Sequence, residues 1–191
     1  SSIEYTFLPY LRVQASSFSW SPDSKSIAYY SAKSGQPNLW AIAADSSGDT
    51  QITNNGDPNL IVNCPLWAAD GNRIAYSSKP NKVPAGEKAT FSVWVTELAT
   101  KNAKAIFQSD SFVRMIGWSQ GDKELILATF KGRASSSRPA EVGLIRVSAT
   151  TGEQQPLAVL QSAYLYNIHL SADRKAIAFT SRQDGKDNVW V

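Results

Sequence analysis

The chain offers little that could act as a nucleophile, a base or a metal ligand. It contains one histidine, His169, and one cysteine, Cys64. A Cys/His zinc site needs three or four such ligands, so none can be built from these two. One cysteine also excludes a disulfide within the chain. A Ser-His-Asp or Cys-His triad would have to use His169, and it would need a nucleophile held within hydrogen-bond reach. No G-x-S-x-G motif is present, and the serine-rich stretch ASSSRP at 134–139 lacks that frame. His169 therefore reads as a packed, hydrogen-bonded histidine and Cys64 as a buried small hydrophobe. Asp45, Asp49 and Asp57 do not follow the spacing of a calcium loop. The residue pattern implies no cofactor, no metal and no catalysis by this segment.

Two segments carry charge that could bind. SKPNKVPAGEKAT at 78–90 holds Lys79, Lys82 and Lys88 against Glu87. FKGRASSSRPAE at 130–141 holds Lys131, Arg133 and Arg138 against Glu141. Their excess of positive charge is large beside the chain's formal net charge of +3. That points to an acidic peptide or protein partner. Duplex nucleic acid would want a longer basic track. No apolar run approaches the ~20 residues of a membrane span. Residues 1–12 lack the basic start and small-residue cleavage site of a signal peptide.

The elements that would position these segments are repeats. Trp20, Trp67, Trp118 and Leu170 open four similar stretches, 47, 51 and 52 residues apart. WSPDSKSIAYYS, WAADGNRIAYSS, WSQGDKELILAT and LSADRKAIAFTS share an aliphatic seven residues after the opener: Ile27, Ile74, Leu125 and Ile177. Asp23, Asp70 and Asp173 stand three after it, whereas the third copy has Gly121 there and Asp122 one later. A second block, NLWAIA, SVWVTE, GLIRVS or NVWV, places Trp40, Trp94, Ile145 and Trp190 at 20, 27, 27 and 20 residues from the openers. Copies two and three thus share an enlargement, and it is the pair of basic segments.

The blocks are short and rich in aromatic and branched residues, with Asp, Gly, Asn and Ser between them. They read as strands joined by tight turns. Four antiparallel strands per ~45–50 residues is the period of a β-propeller blade. Strands such as IAYY and VWV are apolar on both faces, as blades packed between neighbours require. The predicted fold is all-β, a propeller of about four blades over 16–53, 62–108, 113–160 and 164–191. Residues 3–8, IEYTFL, form an orphan or ring-closing outer strand. The openers Trp20, Trp67 and Trp118, with Ile27, Ile74, Leu125 and Ile177, should be buried between blades. The turn aspartates should cap their own turns and lie far apart.

WSPDSKSIAYYS followed by GQPNLWAIAADSSGDTQIT resembles the TolB-like propeller repeat, a relative of the WD-type repeats. The resemblance covers residues 16–191 and is weakest in copy three, which lacks the Pro-Asp turn and has Ile145 in place of the second-block tryptophan. It implies a non-catalytic, protein- or ligand-binding and sensing domain, the extracytoplasmic or periplasmic part of a larger bacterial protein. The alternative it implies is the substrate-gating propeller of a prolyl-oligopeptidase-like or tricorn-like peptidase. The cysteine count suits the cytosol equally. Three closures stay open: a slice of a longer ring, a ring closed on itself, or a homodimer completing an eight-bladed ring.

Overall fold

The computed structural model describes residues 18–130 and 140–191. The 3–8 strand and most of the second basic segment lie outside them. Among the described residues all regular structure is antiparallel sheet and there is no helix. The first sheet comprises β1 (Phe18–Trp20), β2 (Ser26–Ser31), β3 (Asn38–Ala43) and β4 (Asp49–Gln51), paired in chain order. The second repeats the pattern with β5 (Leu60–Trp67), β6 (Arg73–Pro80), β7 (Phe91–Glu97) and β8 (Ala103–Ser109). The third contains β9 (Phe112–Trp118), β10 (Glu124–Phe130), β11 (Ala140–Ser148) and the long β12 (Gln154–Leu170). β13 (Ile177–Gln183) and β14 (Lys186–Trp190) continue that sheet. β12 serves twice. Its first half pairs with β11 and its second half with β13, with an irregularity between Ala163 and Ile168 where Ser162 adopts a φ of 50°. It is the outer strand of the third blade and the inner strand of the fourth.

Meandering blades of this kind are two-faced, and three apolar clusters fill the three wedges between them. Ala28, Leu39 and Ile52 of the first blade meet Ile74, Tyr76, Trp67 and Trp94 of the second. Ala75, Val93 and Ile106 of the second meet Trp118, Leu125, Leu127 and Val147 of the third. Ala128, Val142 and Leu144 of the third meet Ile168, Ile177 and Phe179 of the fourth. Directly paired residues share a face, so Tyr76 and Trp94, partners across β6 and β7, stack with ring centroids 6.2 Å apart. The asparagine opening NLWAIA has its own task. Buried Asn38 accepts hydrogen bonds from the Thr53 hydroxyl at 2.9 Å and the Asn55 amide at 2.6 Å, fixing the path out of the first blade.

The opener column is not uniformly buried, contrary to the sequence expectation. Trp118 is 2% exposed, but Trp20 is 51% exposed and Trp67 is half-buried. The cause is direction. Each opener packs backward, against the blade before it: the Trp118 indole N–H donates to the Leu66 carbonyl at 3.0 Å. No described blade precedes the first, so Trp20 and its cross-strand partner Ile27 face outward. Ile74 and Leu125 are fully buried, whereas Ile177 is half-buried because it lines a gap in the third wedge.

Truncation of these indoles should therefore separate them. Trp118→Ala should cost about 3–5 kcal/mol, the range for a large buried aromatic. Trp20→Ala should cost less than about 1 kcal/mol, as for an exposed side chain. Urea unfolding of the two variants checks this, and equal losses would show that backward packing is misassigned.

Candidate functional site

The connection between β6 and β7, residues 81–90, rises on the side where the chain passes from blade to blade. It is tied to those passages at both ends. Asn59, just before β5, accepts from the Lys82 amide at 2.8 Å through Oδ1 and donates from Nδ2 to the Lys82 carbonyl at 2.9 Å. At the other end the Lys88 ammonium donates to Asp110, between β8 and β9, at 2.7 Å. The Asp110 hydrogen bond holds the Lys88 ammonium above its ordinary pKa, and Lys88 holds the Asp110 carboxyl below its own. Phe91 and Phe112 meet edge to face beneath this strap, 5.5 Å apart.

The basic residues singled out in the sequence are placed unequally. Lys79 lies within β6, paired with Ile61 and half-buried, because β6 runs on to Pro80. Lys82 is exposed, and its ammonium has no partner among the described residues. Lys88 is spent on Asp110. Lys131, Arg133 and Arg138 lie outside the described residues.

The opposite side of the blades carries the turns after the openers. The fourth residue of each turn sits in the left-handed region: Ser24 at φ 59°, Gly71 at 70°, Asp122 at 55° and Arg174 at 60°. Glycine suits that conformation, and other residues are strained there by roughly 1–2 kcal/mol. Asp23 and Asp173 cap their own turns, each accepting from a serine hydroxyl at 2.6 Å. Those hydroxyls hold both carboxyls below the usual range.

The expectation that the turn aspartates lie far apart is wrong for Asp70 and Asp122. Asp122 is 4% exposed, and its carboxylate accepts from the Asp70 amide of the neighbouring blade at 2.8 Å. It also pairs with the Arg174 guanidinium of the blade beyond. Arg73 donates to the Asp122 carbonyl at 2.9 Å while pairing with Asp70 and lying 5.2 Å from the Trp118 ring centroid. The inner strands converge at the hub, so adjacent turns touch. The one-residue shift of Asp122 was the signal in the sequence for this contact.

His169 is exposed on β12 opposite Ala178, on the face turned away from the third blade, and is not packed as expected. Cys64 is half-buried at a backbone irregularity of β5, with φ 53°, and burial pushes its thiol up, away from the reactive thiolate. Among the described residues no three His, Cys, Asp or Glu side chains group to hold a metal, and no helix is long and apolar enough to cross a membrane.

No family model and no curated protein matches the chain. Solved structures do. TolB from Acinetobacter baumannii is 20% identical and superposes with a TM-score of 0.64 over 91% of this chain and 39% of that one. The chain has the fold of a TolB-like β-propeller. Porphyromonas gingivalis dipeptidyl peptidase 4 is 17% identical, with a TM-score of 0.68 over 91% of this chain and 30% of the peptidase. Pyrococcus horikoshii acylaminoacyl peptidase is 12% identical, with a TM-score of 0.61 over 92% and 30%. The TolB-like chain thus spans about a third of the length of these structures.

The strap on this propeller should be pH-sensitive. A depressed carboxyl contributes above its ordinary pKa of about 4 and loses its contact as pH falls; a raised ammonium contributes below about 10.5 and loses its contact only above that. Backbone order of residues 81–90, measured by NMR relaxation, should therefore hold at pH 6 and fall only as pH drops well below Asp110's ordinary pKa of about 4. Asp110→Asn should show the lower order already at pH 6. An unchanged loop under both perturbations would show that the pair does not hold it.

Proposed function

We propose that this TolB-like propeller is a non-catalytic binding and sensing domain of a larger, extracytoplasmic protein. Its docking face is the side carrying the enlarged connections of the second and third blades. The observation that supports this reading is the connection 81–90, tied to both neighbouring passages by Asn59 and Asp110. A loop ordered before binding spends less conformational entropy when a partner arrives. Lys82 stands free on it, and Lys131, Arg133 and Arg138 of the equivalent connection would extend the same positive rim, with Lys79 and Lys88 behind. The partner suited to it is an acidic peptide or the acidic patch of a folded protein. A second reading, a substrate-gating propeller of a peptidase, draws on the similarity to the propeller-bearing peptidases.

Binding of an acidic peptide at low and high salt tests the first reading. Rim ion pairs contribute roughly 0.2–1 kcal/mol each and are screened by salt. The Lys82/Lys131/Arg133/Arg138→Ala variant should bind about tenfold more weakly than wild type at low salt, and the two should converge at high salt. Affinity indifferent to both salt and substitution would remove the rim as a docking site.

A further inference from the structure

The fourth opener departs from its column. Where the others are Trp20, Trp67 and Trp118, the fourth is Leu170. In the second wedge the Trp118 indole fills the space between blades and is 2% exposed. In the third wedge Leu170 leaves that space open. Gly117 lets it lie against β9: a Cβ there would come within 2.5 Å of the leucine Cδ1. A cavity of about 310 Å³ remains beside it. That is the lower end of the range for small-molecule sites.

The cavity has a polarity. Its walls are Ile126, Leu144 and Leu160 of the third blade, with Leu170, Ile177 and Phe179 of the fourth. The charged groups along it are cationic: Arg146, Arg174 and Lys175, with no carboxylate in the lining. Arg174 is committed to Asp122 and the Ser119 carbonyl. Arg146 is held more loosely: it pairs with Glu124 at 3.6 Å, beyond hydrogen-bond distance, and its Nε is buried without an acceptor. The Lys175 side chain is exposed and without a partner among the described residues. A buried guanidinium donor left unmade is costly, and a bound anion would satisfy it.

We propose that the third wedge is a binding site for a small aromatic carboxylate. Its ring would take the place of the missing indole between Leu144, Ile177 and Phe179, and its carboxylate would meet Arg146 and Lys175. The gap between the two blades favours a planar ring, and Arg146 and Lys175 select the acid over the neutral aromatic. This site is separate from the rim on the loop face.

The probe is indole-3-propionate, titrated into the chain and followed by amide NMR shifts, with indole as the neutral control. Saturable shifts should appear at Leu144 and Ile177, and the acid should bind about tenfold more tightly than indole, as a charge-assisted hydrogen bond implies. Arg146→Gln should remove that tenfold advantage. Leu170→Trp should raise the melting temperature and abolish binding by filling the gap. Leu160→Phe supplies a second filling variant should the first fail to fold, and it should abolish binding likewise. Absence of shifts at millimolar probe, or binding that survives a folded filling variant, would overturn the site. Equal affinity for indole and the acid, or no loss in Arg146→Gln, would overturn the assignment of a carboxylate ligand.

Discussion

The carboxylate of Asp122 joins three blades at one point. It takes the backbone amide of Asp70 on one side and the guanidinium of Arg174 on the other, and its own carbonyl receives Arg73. Both Asp122 and Arg174 hold the left-handed backbone that a glycine would hold without strain. The strain is roughly 1–2 kcal/mol per residue. A hydrogen bond to a charged group contributes about 1.5–3 kcal/mol, so two such bonds on a nearly buried carboxylate offset strain of that size. The shift that makes the third turn look irregular is what carries its side chain into the neighbouring blades.

Above the hub, the blades are spaced by wedges filled from one direction. A backward-packing indole makes each wedge depend on the blade that follows it. This explains why Trp118 is buried while Trp20 is not, and why a leucine at the fourth opener leaves a cavity between the third and fourth blades. The same directionality separates two surfaces: a wedge where the buried Arg146 Nε lacks a hydrogen-bond acceptor, and a loop face where Asn59 and Asp110 hold the connection that presents Lys82. Rigid blades and displayed connections are the division of labour on which binding propellers rest.

The repeat was legible because blade strands are apolar on both faces, which leaves columns of Trp, Ile, Ala and Tyr that few other folds would require. What remained hidden depends on neighbours distant in sequence. The exposure of Trp20 follows from which blade lies behind it, not from its column. Lys79 reads as a loop residue until β6 is seen to continue to Pro80, and Lys88 reads as free until Asp110, 22 residues on, is placed beside it. The meeting of Asp70 and Asp122 required knowing how tightly the hub turns converge. Arg146 gave no signal, since a cation on β11 stands out only once Leu170 is known to leave space beside it.

The Asp122–Arg174 pair ties the third and fourth blades together, and a double-mutant cycle measures this directly. Asp122→Asn, Arg174→Gln and the double variant would be compared by urea unfolding. Residues in contact show coupling of about 0.5–3 kcal/mol, and the pair should fall within that range with the favourable sign. Additive losses, with coupling within about 0.3 kcal/mol of zero, would contradict this and leave the shared strand β12 and the apolar packing of the third wedge to join those blades.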